Sequence, residues 1–266
     1  MLLREVEYAK PASVGEALEL LAANDGARAL AGGLTLVYVM KSRAASPDML
    51  VDLNGLEELK GIELAGDGTL TIGAMTTYSE LMASAEAKAR PILGEVCATI
   101  ADVQVRNRGT IGGNVCSNDP TNHLPPLMVA VGARMTIAGV GGEREVPVDE
   151  FFLGVYMTAA GPGELLTRIT VPAGKQDGFA AVTLGADGTC IASAAASVNG
   201  SGSIRVALGC VAAVPVVVTA DSPEGVADAV RGANLTPPFD VHASSEYRAH
   251  LSAVLAERAA QEAATR

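Results

Sequence analysis

The sequence contains no tryptophan, and its other aromatic residues are five tyrosines and four phenylalanines. Rings on which nucleobases could stack are therefore scarce. Basic residues are also few, because 19 Lys and Arg stand against 30 Asp and Glu, which gives a formal net charge of -11. Since a polyanion would be repelled by such a surface, the composition argues against a nucleic-acid-binding protein. We expect ligand recognition by the backbone rather than by aromatic rings.

Long apolar runs and grouped cysteines are missing as well. The longest apolar stretches, such as residues 211–220, fall far short of the roughly 20 residues of a membrane-spanning helix. Residues 1–10 lack the ordered regions of a signal peptide. The cysteine spacing matches no metal-ligand pair and no disulfide framework. We therefore expect no membrane span, no metal site in this chain, a cytoplasmic location and four reduced thiols, at Cys97, Cys116, Cys190 and Cys210.

The remaining composition is that of a folded protein, with 49% hydrophobic and 18% charged residues. Capping boxes at Ser13–Glu16 and Thr77–Glu80 predict two helix starts. Periodicity and turn residues predict the other elements. The predicted helices cover residues 13–24, 34–41, 77–82, 91–100, 127–131, 223–230 and 244–264, and the predicted strands cover residues 27–31, 49–53, 69–74, 134–138, 165–171, 190–198, 204–211 and 214–219.

A polar, turn-rich stretch at residues 172–178 separates two apolar regions and favours a domain boundary. We place that boundary at residue 175. The first domain, residues 1–175, divides into subdomains of about residues 1–55 and 56–175. The second domain, residues 176–266, is predicted to be a sheet with helices.

Two glycine pairs, Gly32–Gly33 and Gly112–Gly113, are the candidate ligand-binding turns. Glycine lets a ligand approach the backbone closely, and successive amides in such a turn form a concavity that binds anions. The first pair also opens a predicted helix, whose free amides attract phosphate. We expect both turns to donate amide hydrogens to one diphosphate.

Several enzyme classes lack their motifs here. Neither glycine turn is a P-loop or a G-x-G-x-x-G dinucleotide fingerprint. A G-x-S-x-G nucleophile elbow is missing, and only three histidines are available for a Ser-His-Asp triad. ATP hydrolysis, a Rossmann dehydrogenase and a serine hydrolase are therefore disfavoured, and we predict no catalytic side chain.

Residues 31–36, Ala-Gly-Gly-Leu-Thr-Leu, with Met40-Lys41 resemble the A-G-G-x-S/T-L motif of the FAD-binding medium subunits of molybdenum hydroxylases. This is the xanthine dehydrogenase and aerobic carbon monoxide dehydrogenase family. Residues 104–114, followed by Asp119-Pro120 and Leu124-Pro125, resemble its second motif. The likeness runs essentially from end to end. It implies an α+β fold of two subdomains clasping FAD, of the PCMH or vanillyl-alcohol-oxidase-like kind, followed by a C-terminal sheet-plus-helices domain like that of carbon monoxide dehydrogenase flavoproteins.

The resemblance also implies which residues lie at the cofactor. The two motifs would hold the diphosphate and the ribityl chain, and Leu166 or Thr167 would lie close to the rings. His123 stands where relatives often carry aspartate, and residues 182–189 offer no ring to cover the flavin. The implied cofactor-binding residues are Leu30, Ala31, Gly32, Gly33, Leu34, Thr35, Leu36, Ile100, Ala101, Gly109, Thr110, Ile111, Gly112, Gly113, Asn114, Ser117, Asp119, His123, Leu166 and Thr167.

By the same resemblance, the chain is an oxidoreductase subunit of a heterotrimer. A small partner subunit would carry two [2Fe-2S] clusters, because four scattered cysteines cannot hold them, and a large partner would carry the molybdenum cofactor. FAD would pass electrons from the clusters to NAD or another acceptor, in an assembly that is a dimer of heterotrimers. Two alternatives stay open: a stand-alone flavin oxidase or reductase of the same fold, and a non-catalytic assembly scaffold.

Overall fold

The computed structural model describes residues 2–185 and 188–266. The strands are β1 (Glu7–Ala9), β2 (Ala27–Leu30), β3 (Met49–Asp52), β4 (Ile62–Leu64), β5 (Leu70–Gly73), β6 (Arg134–Gly139), β7 (Gly142–Pro147), β8 (Phe152–Gly154), β9 (Met157–Thr158), β10 (Leu165–Val171), β11 (Asp177–Leu184), β12 (Thr189–Val198), β13 (Ile204–Gly209) and β14 (Val216–Ala220). The helices are α1 (Val14–Ala23), α2 (Leu34–Lys41), α3 (Tyr78–Ala83), α4 (Ile92–Ala98), α5 (Val103–Arg106), α6 (Ile111–Ser117), α7 (Leu124–Ala130), α8 (Val148–Phe151), α9 (Pro223–Gly232) and α10 (Ser245–Thr265).

These elements form three larger sheets, so the predicted α+β class is confirmed. The first sheet is parallel, with strand order β1-β3-β2. The second is antiparallel, with order β4-β5-β10-β6-β7, and the third is antiparallel, with order β11-β12-β13-β14. A two-stranded ribbon of β8 and β9 completes the set. Among the described residues, no helix has both the length and the apolarity to cross a bilayer.

The helices begin largely where the sequence signals place them. The Ser13 hydroxyl accepts a hydrogen bond from the Glu16 amide, whereas the Glu16 carboxylate turns back to the amide of Ala12 at 2.7 Å. The predicted capping box at this helix is therefore shifted by one residue. At α3 both halves of the box form, between Thr77 and Glu80. Helix α2 spans residues 34–41, as predicted.

Several elements escape prediction. Strands β1, β4 and β7 lie at sheet edges and carry mostly exposed residues, so their sequences lack a buried face. Strand β11 begins inside the predicted linker, because Asp177 is buried by pairing with Arg90. Helix α7 starts three residues before its prediction, with prolines in its first turn, where their missing amide hydrogens are not needed.

The main core lies between the second sheet and helices α3, α4, α6 and α7, and includes Ile72, Leu93 and Leu127. Ala195 and Ala207 of the third sheet close this core. Helices α9 and α10 cover the opposite face of the third sheet through small residues. A methyl group on Gly178 would lie only 2.1 Å from the carbonyl oxygen of Ala259, so α10 packs directly on the strand backbone.

Candidate cofactor site

The first glycine turn leaves β2 and starts α2. Gly33 caps the helix with φ 77, in the left-handed region that glycine adopts without strain. Its carbonyl oxygen accepts a hydrogen bond from the amide of Val37 at 2.9 Å. Among the described residues, no acceptor is found for the five amides of residues 32–36. The N-terminus of α2 is therefore an open set of backbone donors with partial positive charge.

A polar chain from the end of β3 holds this turn in place. The Asn54 side-chain amide donates to the carbonyl oxygen of Ala31 at 3.0 Å and to Asp52 Oδ1 at 2.6 Å. The hydroxyl of Tyr8 donates to the other oxygen of Asp52. Burial raises the pKa of Asp52, but the hydrogen bonds from Tyr8 and Asn54 outweigh it and hold the pKa below its ordinary value. Tyr8, Asp52 and Asn54 carry no motif in the sequence, although parallel strands β2 and β3 end at the same sheet edge.

The second glycine turn starts α6, but its amides are not free. The Ile111 amide donates to the carbonyl oxygen of Thr76 at 3.0 Å, and the Gly112 amide donates to that of Ala74 at 2.9 Å. The Gly113 amide donates to the Thr110 hydroxyl at 3.0 Å. The neighbouring sheet and the helix cap therefore already use these three amides. The expectation that this turn lies at the diphosphate stays a prediction.

The glycines of the second motif serve close packing instead. A methyl group on Gly112 would lie 2.6 Å from the carbonyl oxygen of Ala74, and one on Gly109 would lie 2.6 Å from the Tyr78 ring. Real Cβ contacts are longer, so only glycine lets α6 sit against the sheet edge and α3. The motif thus fixes the position of Gly113, whose α-carbon is exposed.

The two turns meet. A methyl group on Gly32 would lie 2.1 Å from the carbonyl oxygen of Arg108, and one on Gly113 would lie 3.5 Å from the Ala31 methyl. Gly32 and Arg108, which are 76 positions apart along the chain, are thereby brought into backbone contact. The free amides of the first turn and the bare backbone of the second form one continuous surface.

Asn114 adds an unused acceptor at this surface. Its side-chain amide nitrogen donates to the Tyr78 hydroxyl at 2.9 Å, which fixes the orientation of the side chain. Its Oδ1 atom is buried and has no hydrogen-bond partner among the residues that the structure describes. Buried acceptors are normally satisfied, so this atom is suited to a donor from a ligand. Burial raises the pKa of Tyr78 far above its ordinary value, so its hydroxyl stays protonated.

The loop at Ile100–Ala101 is held by Arg106. The Arg106 guanidinium donates to the carbonyl oxygen of Ile100 at 2.9 Å and to that of Ala101 at 2.6 Å. Ala101 adopts φ 44, an uncommon value for a residue with a side chain. A methyl group on Gly188 would lie 3.8 Å from the Ala101 amide, so the turn between β11 and β12 approaches this loop. Of residues 185–189, Ala186 and Asp187 lie outside the described residues.

Of the predicted site residues that follow the second motif, Ser117 and Asp119 are partly exposed, whereas His123 is buried. Ser117 is half-buried and donates to the Asn114 carbonyl oxygen at 2.8 Å, and Asp119 accepts from the Tyr156 hydroxyl at 3.0 Å. His123 is buried at the start of α7, with its ring centroid 5.2 Å from that of Phe179. His123 thus faces the third sheet.

Leu166 and Thr167 are buried in β10. The Thr167 hydroxyl donates to the carbonyl oxygen of Thr136 at 3.2 Å, and its own carbonyl oxygen accepts the Ala74 amide at 2.9 Å. Since Ala74 also receives the Gly112 amide, Thr167 lies one layer behind the second turn.

Comparison with known proteins places this site in a family. Residues 4–174 match the family model described as the FAD binding domain in molybdopterin dehydrogenase. The chain is 46% identical over 178 residues to the carbon monoxide dehydrogenase medium chain of Hydrogenophaga pseudoflava, a match that covers 66% of this chain and 62% of that relative. It is 36% identical over 286 residues to the carbon monoxide dehydrogenase medium chain of Afipia carboxidovorans, which covers 100% of this chain and 99% of the relative.

Solved structures agree. The carbon monoxide dehydrogenase from Hydrogenophaga pseudoflava that lacks the Mo-pyranopterin moiety of the molybdenum cofactor contains a chain with a TM-score of 0.91 and 36% identity, and the match covers 100% of this chain and 99% of that one. The family predicted from the two motifs, with FAD as its cofactor, is therefore confirmed. The relatives are named as dehydrogenase subunits, in agreement with the prediction of an oxidoreductase subunit. The chain belongs to the family of FAD-binding domains of molybdopterin dehydrogenases.

Proposed function

We propose that this chain is the FAD-binding electron-transfer subunit of a heterotrimeric molybdenum hydroxylase. One observation carries the proposal: two distant glycine turns form a single surface on which five backbone amides and the buried Asn114 Oδ1 have no partner in the described structure. A dinucleotide with a diphosphate and several hydroxyl or amine donors complements that surface. FAD supplies the electron-transfer chemistry, and the protein supplies binding and orientation.

The amides of residues 32–36 would hold the diphosphate, because the N-terminus of α2 offers donors and partial positive charge. Residues 30 and 31 position this turn. The exposed Gly113 would form the opposite wall, and the buried residues Gly109, Thr110, Ile111 and Gly112 would hold it in place. This division of roles needs no lysine or arginine, which suits a chain of net charge -11.

The remaining family positions would act around that centre. Asn114 Oδ1 would accept a hydrogen bond from the cofactor, and Ser117, Asp119 and the loop at Ile100–Ala101 would line its further reach. Leu166 and Thr167 would support the wall from behind through Ala74. His123 would act through the loop it anchors, since its side chain is buried against Phe179.

The other redox groups would come from partner subunits. The four cysteines are all free, and the described residues contain no group of three or more histidine, cysteine or acidic side chains that could hold a metal, whereas iron-sulphur clusters require grouped thiolates. A small subunit would provide two [2Fe-2S] clusters, and a large subunit would provide the molybdenum cofactor. FAD would receive electrons from the clusters and pass them to NAD or another acceptor, in a cytoplasmic dimer of heterotrimers.

Reconstitution with FAD tests the binding step. The purified chain should retain a flavin spectrum after gel filtration, and Gly113→Leu should abolish retention because its side chain would fill the space between the turns. Gly15→Leu, in the first turn of α1, is the matched control and should retain the cofactor, since Gly15 is exposed and a methyl group there would meet only the Ser13 hydroxyl, at 3.8 Å. Equal retention by both variants would contradict the site.

Co-purification from the native host tests the assembly. The complex should contain companion chains with iron, acid-labile sulphide and molybdenum, and its FAD should be reduced when the substrate of the complex is added. A flavin that acid precipitation leaves attached to an isolated chain would favour a stand-alone flavin oxidase instead. A complex without bound flavin would favour the scaffold.

A further inference from the structure

A cavity of about 110 Å³ lies at one end of the third sheet. Its wall includes Ile191 at the start of β12, Cys210 directly after β13, Asp240 of the loop that joins α9 to α10, and Arg248 of the first turns of α10. The start of β12 and the end of β13 are neighbours in that sheet. The cavity shares no lining residue with either glycine turn.

Arg248 supplies a buried donor to this wall. Only 4% of its surface is exposed. Its two terminal nitrogens donate to the Ile191 carbonyl oxygen and to Asp240 Oδ2, both at 2.6 Å. The Nε atom is buried and has no hydrogen-bond partner among the described residues. Since buried donors are normally satisfied, this N–H is suited to an acceptor on a ligand.

Hydrogen bonds fix the walls of the cavity. Asp240 Oδ1 accepts the amide hydrogens of His242 at 2.8 Å and of Ala243 at 3.0 Å, which holds the loop between α9 and α10. The amide and the thiol of Cys210 both donate to the Pro120 carbonyl oxygen, each at 3.1 Å. The walls are therefore set by the protein itself, as in most pre-formed ligand sites.

The charges at the wall select a neutral occupant. Asp240 neutralises the Arg248 guanidinium, so a second carboxylate would lie beside Asp240 and be repelled by it. A cation would be repelled by Arg248 in the same way. Much of the remaining wall is apolar, with Leu184, Ile191 and Pro238, where water would find few hydrogen-bond partners. The suited occupant has one acceptor oxygen and a short apolar part.

We propose that this cavity binds a small neutral carbonyl compound, such as a short amide. Its oxygen accepts the Arg248 Nε–H, and its alkyl group packs against Leu184 and Ile191. Because one water occupies about 30 Å³, the cavity holds a molecule of about four non-hydrogen atoms. Binding uses no residue of the glycine turns, so its test is independent of the proposed cofactor.

Titration of the full chain with acetamide, followed by proton–nitrogen NMR, tests the proposal. The Arg248 Nε–H signal should shift and saturate as the cavity fills. Arg90 is the internal control, because it is equally buried, at 3% exposed, and its Nε–H already donates to Asp177 at 2.8 Å. The Arg90 signal should not move. Acetate, which has the same size and a negative charge, should bind at least about ten-fold more weakly.

A variant tests the role of the Nε–H group. Arg248→Lys keeps a positive charge for Asp240 but removes the Nε–H, so it should weaken acetamide binding at least about ten-fold in saturation-transfer NMR. Arg231→Lys, in an exposed pair with Asp228, is the matched control and should bind as the wild type does.

An Arg248 Nε–H signal that does not respond to acetamide would overturn the proposal. So would equal shifts of the Arg90 signal, or acetate binding as tight as that of acetamide. The wild-type titration alone decides the question if Arg248→Lys does not fold.

Discussion

Gly32 and Arg108 touch through their backbones: a methyl group on the glycine would lie 2.1 Å from the arginine carbonyl oxygen. The contact joins the turn after β2 to the loop before α6. Because carbonyl oxygens cannot move away as a flexible side chain does, the distance between the two turns depends on this glycine.

Gly32→Ala should therefore separate the two turns. We expect a loss of stability of about 1–3 kcal/mol from the added methyl group and weaker FAD retention than in the wild type. Urea unfolding and fluorescence titration with FAD measure the two effects. Gly55→Ala is the control, since a methyl group there would lie 3.4 Å from the end of the flexible Lys10 side chain. Wild-type affinity in Gly32→Ala would contradict the role of the contact.

Asn114→Ala should weaken FAD binding by about ten-fold, the value of one hydrogen bond of about 1.4 kcal/mol. The variant removes the unpartnered Oδ1 atom. Tyr78→Phe removes only the hydroxyl that orients Asn114, so it should weaken binding less. Titration of both variants with FAD gives the order, and a larger effect of Tyr78→Phe would assign the main role to the tyrosine instead.

Tyr8→Phe should reduce stability at neutral pH, since it removes a hydrogen bond that lowers the pKa of Asp52. A carboxyl group whose pKa is lowered by folding stabilises the folded chain above its pKa in the unfolded chain, which is about 3.9. This stabilisation is lost as the pH falls through the pKa in the folded chain. The difference in free energy of unfolding between the wild type and the variant should therefore be constant near pH 7 and should shrink below about pH 4. Urea midpoints across this range measure it. Tyr38→Phe, at an exposed tyrosine, should show no such dependence.

The buried pair of Arg90 and Asp177 should be far more sensitive to mutation than a surface pair. Two hydrogen bonds join them, at 2.8 and 2.7 Å, and Arg90 also donates to the Pro172 carbonyl oxygen and the Ser197 hydroxyl. Asp177→Asn leaves the guanidinium buried without a counter-charge, which should cost about 3–5 kcal/mol. Asp228→Asn breaks the exposed pair with Arg231 and should cost at most about 1 kcal/mol. Similar losses in urea unfolding would show that the buried pair has no special role.

Elements with strong local signals were predictable from the sequence. Helix α2 at 34–41 and strand β10 at 165–171 match their predicted bounds. A glycine pair precedes the helix, and the strand coincides with an apolar run. Helix α6 was not predicted, since Gly112 and Gly113 are poor helix formers. Carbonyl oxygens of Ala74 and Thr76 stabilise its first turn, and the sequence does not reveal that contact.

The candidate site was likewise predictable only in part. The motifs locate both turns, but the backbone amides that remain free depend on tertiary contacts. The start of strand β11 also depends on a tertiary contact. Asp177 resembles a linker residue in the sequence, but in the fold it pairs with Arg90, 87 positions away. Asn54 and Tyr78 carry no motif of their own and were found only from the hydrogen bonds they make.

The unequal use of amides at the two turns bears on how this fold could be re-engineered. Residues 110–113 hold a helix against a sheet, so substitutions there would damage the scaffold before they altered ligand choice. Among the described residues, the amides of residues 32–36 have no acceptor. A designer who wished to exchange the diphosphate for a different anion would therefore vary this short segment first.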